Sequence, residues 1–440
     1  NTVKLNVMMP LDSVNIEQVK DQTKQMLNMD FLAKSLIELK KIGVNGVMID
    51  IWWGLVEKQP KQYQFADYLQ VFELIQSQNL KIQPVFSFHQ CGGNIGDTVN
   101  IQLPQFVIEA ATEHHLFYED QFGNQINEYL SPSANDEKVF DGRSAIQMYQ
   151  DFINAFQIQF QKFDIDQIHI GCGPCGEMRY PSYPSQFWKY PGFGQFMCFD
   201  PIMYQKMQKE TGLTKEFFSK MKDYNSLIMP DDEAMDKFMC FYEKQLLQHV
   251  HRLIKLYQQV FKDIQLSVKV AGIHWWYGSK HQAEWTAGYY NDKHRNGYQE
   301  IASLLGKENV VLCFTCAEKF DSDEKLKCFS RPQQLVNQIS KTCLENQTML
   351  SLENAEETYE RHKLDQLIKS CKDGKAKSVT FLRMSKQMFL KKNWFEFKEF
   401  AGFLNDGGNA VLFAQLGSFG AIIIIGLIYY LVDMVLKANQ

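Results

Sequence analysis

Short runs of β-branched and apolar residues recur along the chain, separated by longer stretches in which apolar side chains return every third or fourth position. The runs cover 4–9, 44–53, 80–88, 166–171, 265–271, 309–314, 348–352 and 378–382. A short apolar run bounded by turn-forming residues reads as a buried strand, and a 3.6-residue period reads as an amphipathic helix. Helices are therefore predicted over 31–42, 68–76, 145–163, 236–261, 333–344 and 364–371, with a last one over 394–404. Eight strands, each followed by a helix or a long insertion, predict an α/β fold: a (β/α)8 TIM barrel with long βα-loop insertions rather than an open sheet.

The pattern changes near the end of the chain. From Asn409 to Val432 there is no charged residue. At the helical rise that stretch is about 36 Å long, enough to cross a hydrocarbon core of about 30 Å with some tilt. A buried helix of a globular domain would normally keep a polar face, and this stretch has none. The expected organisation is a barrel over 1–404, a short linker over 405–409, a single C-terminal transmembrane helix over 410–432 and a polar tail over 433–440. The partner there is the lipid bilayer and the expected location is a membrane, as a single-pass anchor. A lysine excess before the span places the barrel on the positive side.

Composition narrows the partners. The net charge is −5 and no basic cluster appears, which argues against nucleic acid. Ten cysteines in 440 residues are too dilute for a disulfide scaffold, so the thiols are read as mostly free.

In a barrel of this kind chemistry gathers at the carboxyl ends of the strands. Polar and aromatic residues collect there: Asp50 with Trp52 and Trp53, His89 and Asp97, Glu177, Lys269, His274 with Trp275 and Trp276, Thr315, Glu353 with Asn354, and Arg383. Charged groups for hydroxyls, indoles for C–H faces and two candidate carboxyls fit a carbohydrate. Glycoside hydrolysis needs one protonated carboxyl and one carboxylate, and Glu177 and Glu353 follow strands on opposite sides of the ring. That suits the wider separation of roughly 6.5–9.5 Å which leads to inversion. Position alone leaves other chemistries open.

Several strings are specific enough to name a family. Met8-Met9-Pro10-Leu11-Asp12, the segment 46–54 around Asp50, Ser87-Phe88-His89-Gln90-Cys91-Gly92-Gly93-Asn94 and Gly176-Glu177-Met178-Arg179-Tyr180-Pro181-Ser182-Tyr183-Pro184 closely resemble the β-amylases. So do the segments 271–277 and 286–291, Glu353-Asn354-Ala355 and Leu382-Arg383-Met384. The match runs in order from about residue 3 to 404. The resemblance implies an inverting exo-hydrolase that releases β-maltose from the non-reducing ends of α-1,4-glucans, with no metal and no organic cofactor. It implies Glu177 as general acid and Glu353 as general base. Asp50, His89, Asp97, Lys269, His274, Thr315, Asn354, Ala355 and Arg383 fall at positions similar to the family's sugar contacts, and 92–99 resembles its closing lid.

Some positions depart from the family pattern. Leu352 precedes the base where the family has Gly, and Glu356 stands where it has an apolar residue, adding negative charge near Glu353. Alternatively, Glu356 and Glu357 are solvated helix-start acids. Cys175 and Cys313 replace other residues beside the acid and on strand six, and the insertion between Gly212 and Phe238 is shorter, which leaves one cleft wall open. The pairs Cys172/Cys175 and Cys313/Cys316 are spelled like redox or zinc motifs but lack the required context and spacing. His89 and His274 could also be core histidines, and each Trp pair is expected to split between wall and cleft. A second reading makes the body a catalytically weak accessory subunit among other subunits of a membrane complex.

Overall fold

The computed structural model describes residues 2–14, 22–94, 97–219, 221–225, 233–323 and 328–405. Eight parallel strands close into a barrel in chain order: β1 (Lys4–Met8), β2 (Gly46–Trp52), β3 (Lys81–Ser87), β4 (Gln167–Ile170), β5 (Gln265–Val270), β6 (Val311–Phe314), β7 (Leu350–Glu353) and β8 (Ser378–Phe381). The last strand pairs back onto the first. Each strand lies inside one of the eight predicted runs or overlaps it closely. Among the described residues no helix is long and apolar enough to cross a membrane. The expected linker beyond 405, the span over 410–432 and the tail over 433–440 lie outside the described residues.

Among the described residues the longer helices are α1 (Gln22–Lys41), α2 (Ala66–Ser77), α3 (Gln105–Glu113), α4 (Ala145–Phe160), α5 (Pro201–Thr211), α6 (Glu233–Val260), α7 (Gln299–Lys307), α8 (Pro332–Glu345), α9 (Arg361–Asp373) and α10 (Lys391–Asn405). Three of them, α3, α5 and α7, have no counterpart in the sequence-based prediction. Neither has the hairpin of Phe117–Glu119 and Gln125–Leu130 that rises after β3.

Strand alternation sorts side chains between two interiors. In β5, Leu266, Val268 and Val270 point outward into the large core beneath the helices, so Ser267 and Lys269 point into the barrel. The same rule sends Asn6, Gln83, His169, Ser351 and Thr380 inward, and all of them are buried. Met8, Met48 and Val85 form a small separate apolar cluster there. Barrel lumens are usually filled by layers of bulky branched residues. This one is largely polar, which prepares it to hold charge at its upper end.

Helix α4 shows how the outer layer is built. Its start is fixed by a capping box, with Ser144 and Gln147 each bonding the other's backbone. Its buried face, Met148, Tyr149, Phe152, Ile153, Phe156 and Phe160, follows the helical period. Phe156 and Phe160 stack at 4.2 Å, and Phe160 meets Phe72 of α2 at 4.6 Å. Just before this helix, Arg143 reaches a fully buried Glu57 at 3.1 Å, while the Trp53 indole and the Lys61 amide donate to the same carboxylate at 2.8 Å each. Three donors thus compensate one buried charge.

Replacing Arg143 with Ala strands that carboxylate, so Arg143→Ala is expected to lower unfolding stability by about 3–5 kcal/mol. Urea denaturation of the purified barrel checks it, and Glu57→Gln in the same background should recover part of the loss.

Candidate active site

The upper lumen is organised around one ion pair. Lys269, inward on β5, donates to both oxygens of Glu353 at the end of β7, at 2.8 and 3.1 Å. The two strands are not neighbours: Cys313 of β6 lies between them in register with Lys269 and with Ser351. Burial disfavours the charged form of Lys269, but Glu353, Cys313 and Asp50 together outweigh it and the ammonium is held above its ordinary range. Asp50 at the top of β2 accepts from the Ser87 hydroxyl at 2.8 Å and has Arg383 at 3.9 Å. Burial raises its carboxyl above the usual range, against the pull of Arg383, Ser87 and Lys269.

Glu177 follows the turn Pro174–Gly176, whose Cys175 and Gly176 both adopt the left-handed conformation. The Glu177 backbone bridges to Lys269, and the Met178 amide donates to the Lys269 carbonyl at 2.7 Å. The Glu177 loop is therefore stitched directly onto the strand that carries Lys269, the partner of Glu353. Tyr289 reinforces this seam: its hydroxyl donates to the Met178 carbonyl at 2.7 Å and accepts from the Ala271 amide at 3.0 Å. Arg179 Nε donates to Glu177 Oε2 at 2.7 Å, a contact that nothing in the spacing of the sequence marks.

The remaining predicted residues ring this centre. His89 packs edge-on against Trp52 at 5.1 Å, and its buried Nδ1 has no hydrogen-bond partner among the described residues. Asp97 accepts from the Gly92 and Asn94 amides at 2.8 and 2.9 Å, closing a turn; Ile95 and Gly96 of the expected lid lie outside the described residues. His274 Nδ1 bonds the Ser330 hydroxyl at 2.9 Å. Thr315 follows β6 and lies close to Gly272, where there is no room for a side chain. Arg383 donates to the Met9 carbonyl at 3.1 Å.

Asn354 and Ala355 are held more than they are presented. The Asn354 side chain donates to the Leu382 carbonyl at 2.6 Å and accepts from the Leu382 amide at 2.8 Å, clamping the ends of β7 and β8 together. The Ala355 and Glu356 amides both donate to Glu318 at 3.0 Å. Glu318 is fully buried and was not singled out in the sequence. Glu128 was missed as well: this buried acid of the hairpin accepts from Asn94 at 2.6 Å and from the Cys175 amide at 3.2 Å.

Two expectations need correction. Glu356 does not sit as a bare charge beside the base, because Lys319 bonds it at 2.5 Å and holds its carboxyl below the ordinary range. Nor is it a helix-start acid, since α9 begins at Arg361. Trp52 and Trp53 do not divide between wall and cleft either: both are buried, with Trp53 against Phe88 and Trp52 donating to the Leu11 carbonyl. Trp275 and Trp276 do differ, the first buried and the second half-exposed and stacked on Phe193 at 5.0 Å. All ten cysteines are free thiols, and among the described residues no group of three or more His, Cys, Asp or Glu is placed to hold a metal ion. The expected open wall between Gly212 and Phe238 lies partly outside the described residues. The described part packs down, with Tyr224 donating to Asp120 at 2.6 Å.

Comparison with known proteins places this geometry. The model of glycosyl hydrolase family 14 matches residues 6–222 and 208–410. Beta-amylase 1, chloroplastic, of Arabidopsis thaliana is 37% identical, covering 92% of this chain and 76% of that protein. The beta-amylase of Glycine max is 36% identical over 91% of this chain and 86% of its own length. Among solved structures, the catalytic domain of beta-amylase from Paenibacillus polymyxa superimposes with a TM-score of 0.74 at 24% identity, covering 91% of this chain and 98% of that one; it shows the fold.

His274 is 5% exposed, and burial lowers its imidazole to about 3, with Lys319 acting in the same direction and Glu356 against it. A depressed folded value means that the unfolded chain binds the proton first as pH falls below about 6.5. Stability from a neutral His274 is therefore complete above that pH and lost as it falls towards the folded value. Between pH 7 and pH 5 the wild type should lose about 2 kcal/mol relative to His274→Gln, read from urea unfolding at the two pH values.

Proposed function

The chain belongs to glycosyl hydrolase family 14, and from that footing we propose that it is a β-amylase-like hydrolase which releases β-maltose from the non-reducing ends of α-1,4-glucans with inversion. The observation that carries this reading is the pairing of two carboxylates with two separate cations at one barrel mouth, Glu353 with Lys269 and Glu177 with Arg179. In the reaction, Glu177 gives its proton to the glycosidic oxygen as the C–O bond breaks. A water attacks the freed anomeric carbon from the opposite face and passes a proton to Glu353. Lys269 keeps Glu353 oriented through bonds to both carboxylate oxygens. Asp50 and Arg383 meet at the mouth at 3.9 Å, where a terminal sugar's hydroxyls would reach them. Asp97, His89, His274, Thr315, Asn354 and Ala355 complete the proposed substrate contacts. The added charge of Glu356 is offset by its pairing with Lys319.

Membrane attachment is the further part of this reading. It is supported by the length and apolar character of 409–432. The full chain is expected to float with liposomes in a density gradient, and a chain ending at 405 to stay in the soluble fraction. Equal behaviour of the two would remove the anchor.

Maltoheptaose with the purified protein tests the chemistry. Released sugar followed by NMR should appear first as β-maltose. Glu177→Gln and Glu353→Gln should each lower kcat by about 10²–10⁴-fold. Initial release of α-maltose would sink inversion, and folded wild-type protein that releases no sugar would sink the hydrolase.

A further inference from the structure

Two aromatic residues near the mouth hold backbones that bulky side chains rarely adopt. Trp276 has a φ of 58° and Phe329 a φ of 47°, both in the left-handed region, where Cβ is crowded. Such a conformation persists only where the surroundings impose it. Here the Trp276 amide donates to the Cys328 carbonyl at 2.6 Å, and its indole Nε1 donates to the Pro191 carbonyl at 2.6 Å. The neighbouring Trp275 is buried, with its own indole donating to the Gly192 carbonyl at 2.8 Å. Trp276 is instead left half-buried between two other rings. It stacks on Phe193 at 5.0 Å and 12°, and Phe329 leans towards it at 6.0 Å and 47°. Phe329 is 49% exposed.

These rings continue the candidate site outward. Trp276 follows His274 by two residues on the loop after β5. Phe329 directly precedes Ser330, whose hydroxyl bonds His274 Nδ1 at 2.9 Å, and the Arg331 amide donates to the His274 carbonyl at 2.9 Å. A proposed substrate contact and the ring cluster therefore share one frame. Solvent-facing aromatic rings match the C–H faces of pyranose sugars, and rings inclined to each other suit a curved chain of them. A folded protein partner fits less well. Each side of a stable protein interface buries roughly 800 Å². Three aromatic side chains supply about 150–250 Å² apiece even when fully covered, and these are partly covered already.

We propose that Trp276, Phe329 and Phe193 form a platform on which sugar rings of an α-1,4-glucan stack beyond the bond to be cut, so that the protein holds long chains better than short ones. The proposal rests on the hydrolase reading above for the identity of the polymer. The platform stands apart from the two carboxylates, so its contacts are the same before and during bond cleavage. Binding of that kind lowers KM and leaves kcat alone.

The test compares wild type, Phe329→Ala and Phe329→Tyr on soluble amylose and on maltotetraose as the short reference. In Phe329→Ala the ratio of kcat/KM for amylose to that for maltotetraose is expected to fall by about three- to tenfold, through KM. Phe329→Tyr keeps the ring and should restore the ratio. General damage to the fold would lower both substrates alike and leave the ratio where it was. In parallel, the indole 1H–15N signal of Trp276, assigned by its loss in Trp276→Phe, is followed in Glu177→Gln as amylose is added. It should shift, and at several-fold higher amylose once Phe329→Ala is added to that background. This signal answers even if the wild type releases no maltose, a result that would end the hydrolase reading and not the platform. A folded Phe329→Ala whose ratio and indole titration both match their controls overturns the proposal. So does a wild-type dimer that Phe329→Ala dissociates, which would assign the patch to a second copy of the chain.

Discussion

A charge buried at the mouth of a closed barrel has to be met by another charge, and the bond between Lys269 and Glu353 is where this molecule does so. The two side chains are 11% and 5% exposed, so little water reaches either. Taking both out of water costs several kcal/mol per ion, which their attraction offsets only when geometry is good and the remaining donors and acceptors are occupied. Nearby structure follows from that demand. The sheet must curve so that side chains from strands five and seven, with one strand between them, meet in the lumen. The lumen beneath must be polar, as Ser267, Ser351, Thr380 and His169 make it. The loop after Glu353 must be fixed, which the Glu318 carboxylate and the Asn354 amide accomplish.

What the amino-acid order reveals depends on the range of the interaction. The barrel strands were legible because each is a compact apolar run. The polar residues alternating within β5 mark a strand with two different interiors, although both of its faces are buried. Helix α5 escaped because it buries only Met203 and Met207, and its start is set by Asp200, a carboxylate that also accepts from Ser131 and Ser133 far back in the chain. The hairpin of 117–130 escaped because its first strand is only three residues long and its register shifts between Phe117 and Tyr118.

The site divides the same way. Residues carried on the family-like strings could be named in advance: the structure brings Asp50, Lys269, Glu353 and Arg383 to one mouth and stitches the Glu177 loop onto β5. Their supports could not be named. Glu318 and Glu128 reach the site across long sequence separations, and no local spacing records such a bond. Glu356 was legible as a charge, but its meaning was not, because the neutralising Lys319 comes from the loop after β6. Arg179 was in plain view within a recognised string, and only coordinates reveal that its Nε is turned onto the acid.

The last helix gives the molecule a direction. Helix α10 packs against β1, and at its end the Asn405 side chain donates to the Ile42 carbonyl at 3.0 Å and fills the space above Gly43, where a Cβ would come within 2.3 Å. Ile42 and Gly43 belong to the turn that feeds into β2, so Asn405 is pinned at the amino-terminal rim, opposite the Lys269–Glu353 mouth. The described chain thus ends at the floor of the barrel. Floor and mouth are separate faces, so a contact made at the floor leaves the Lys269–Glu353 opening uncovered.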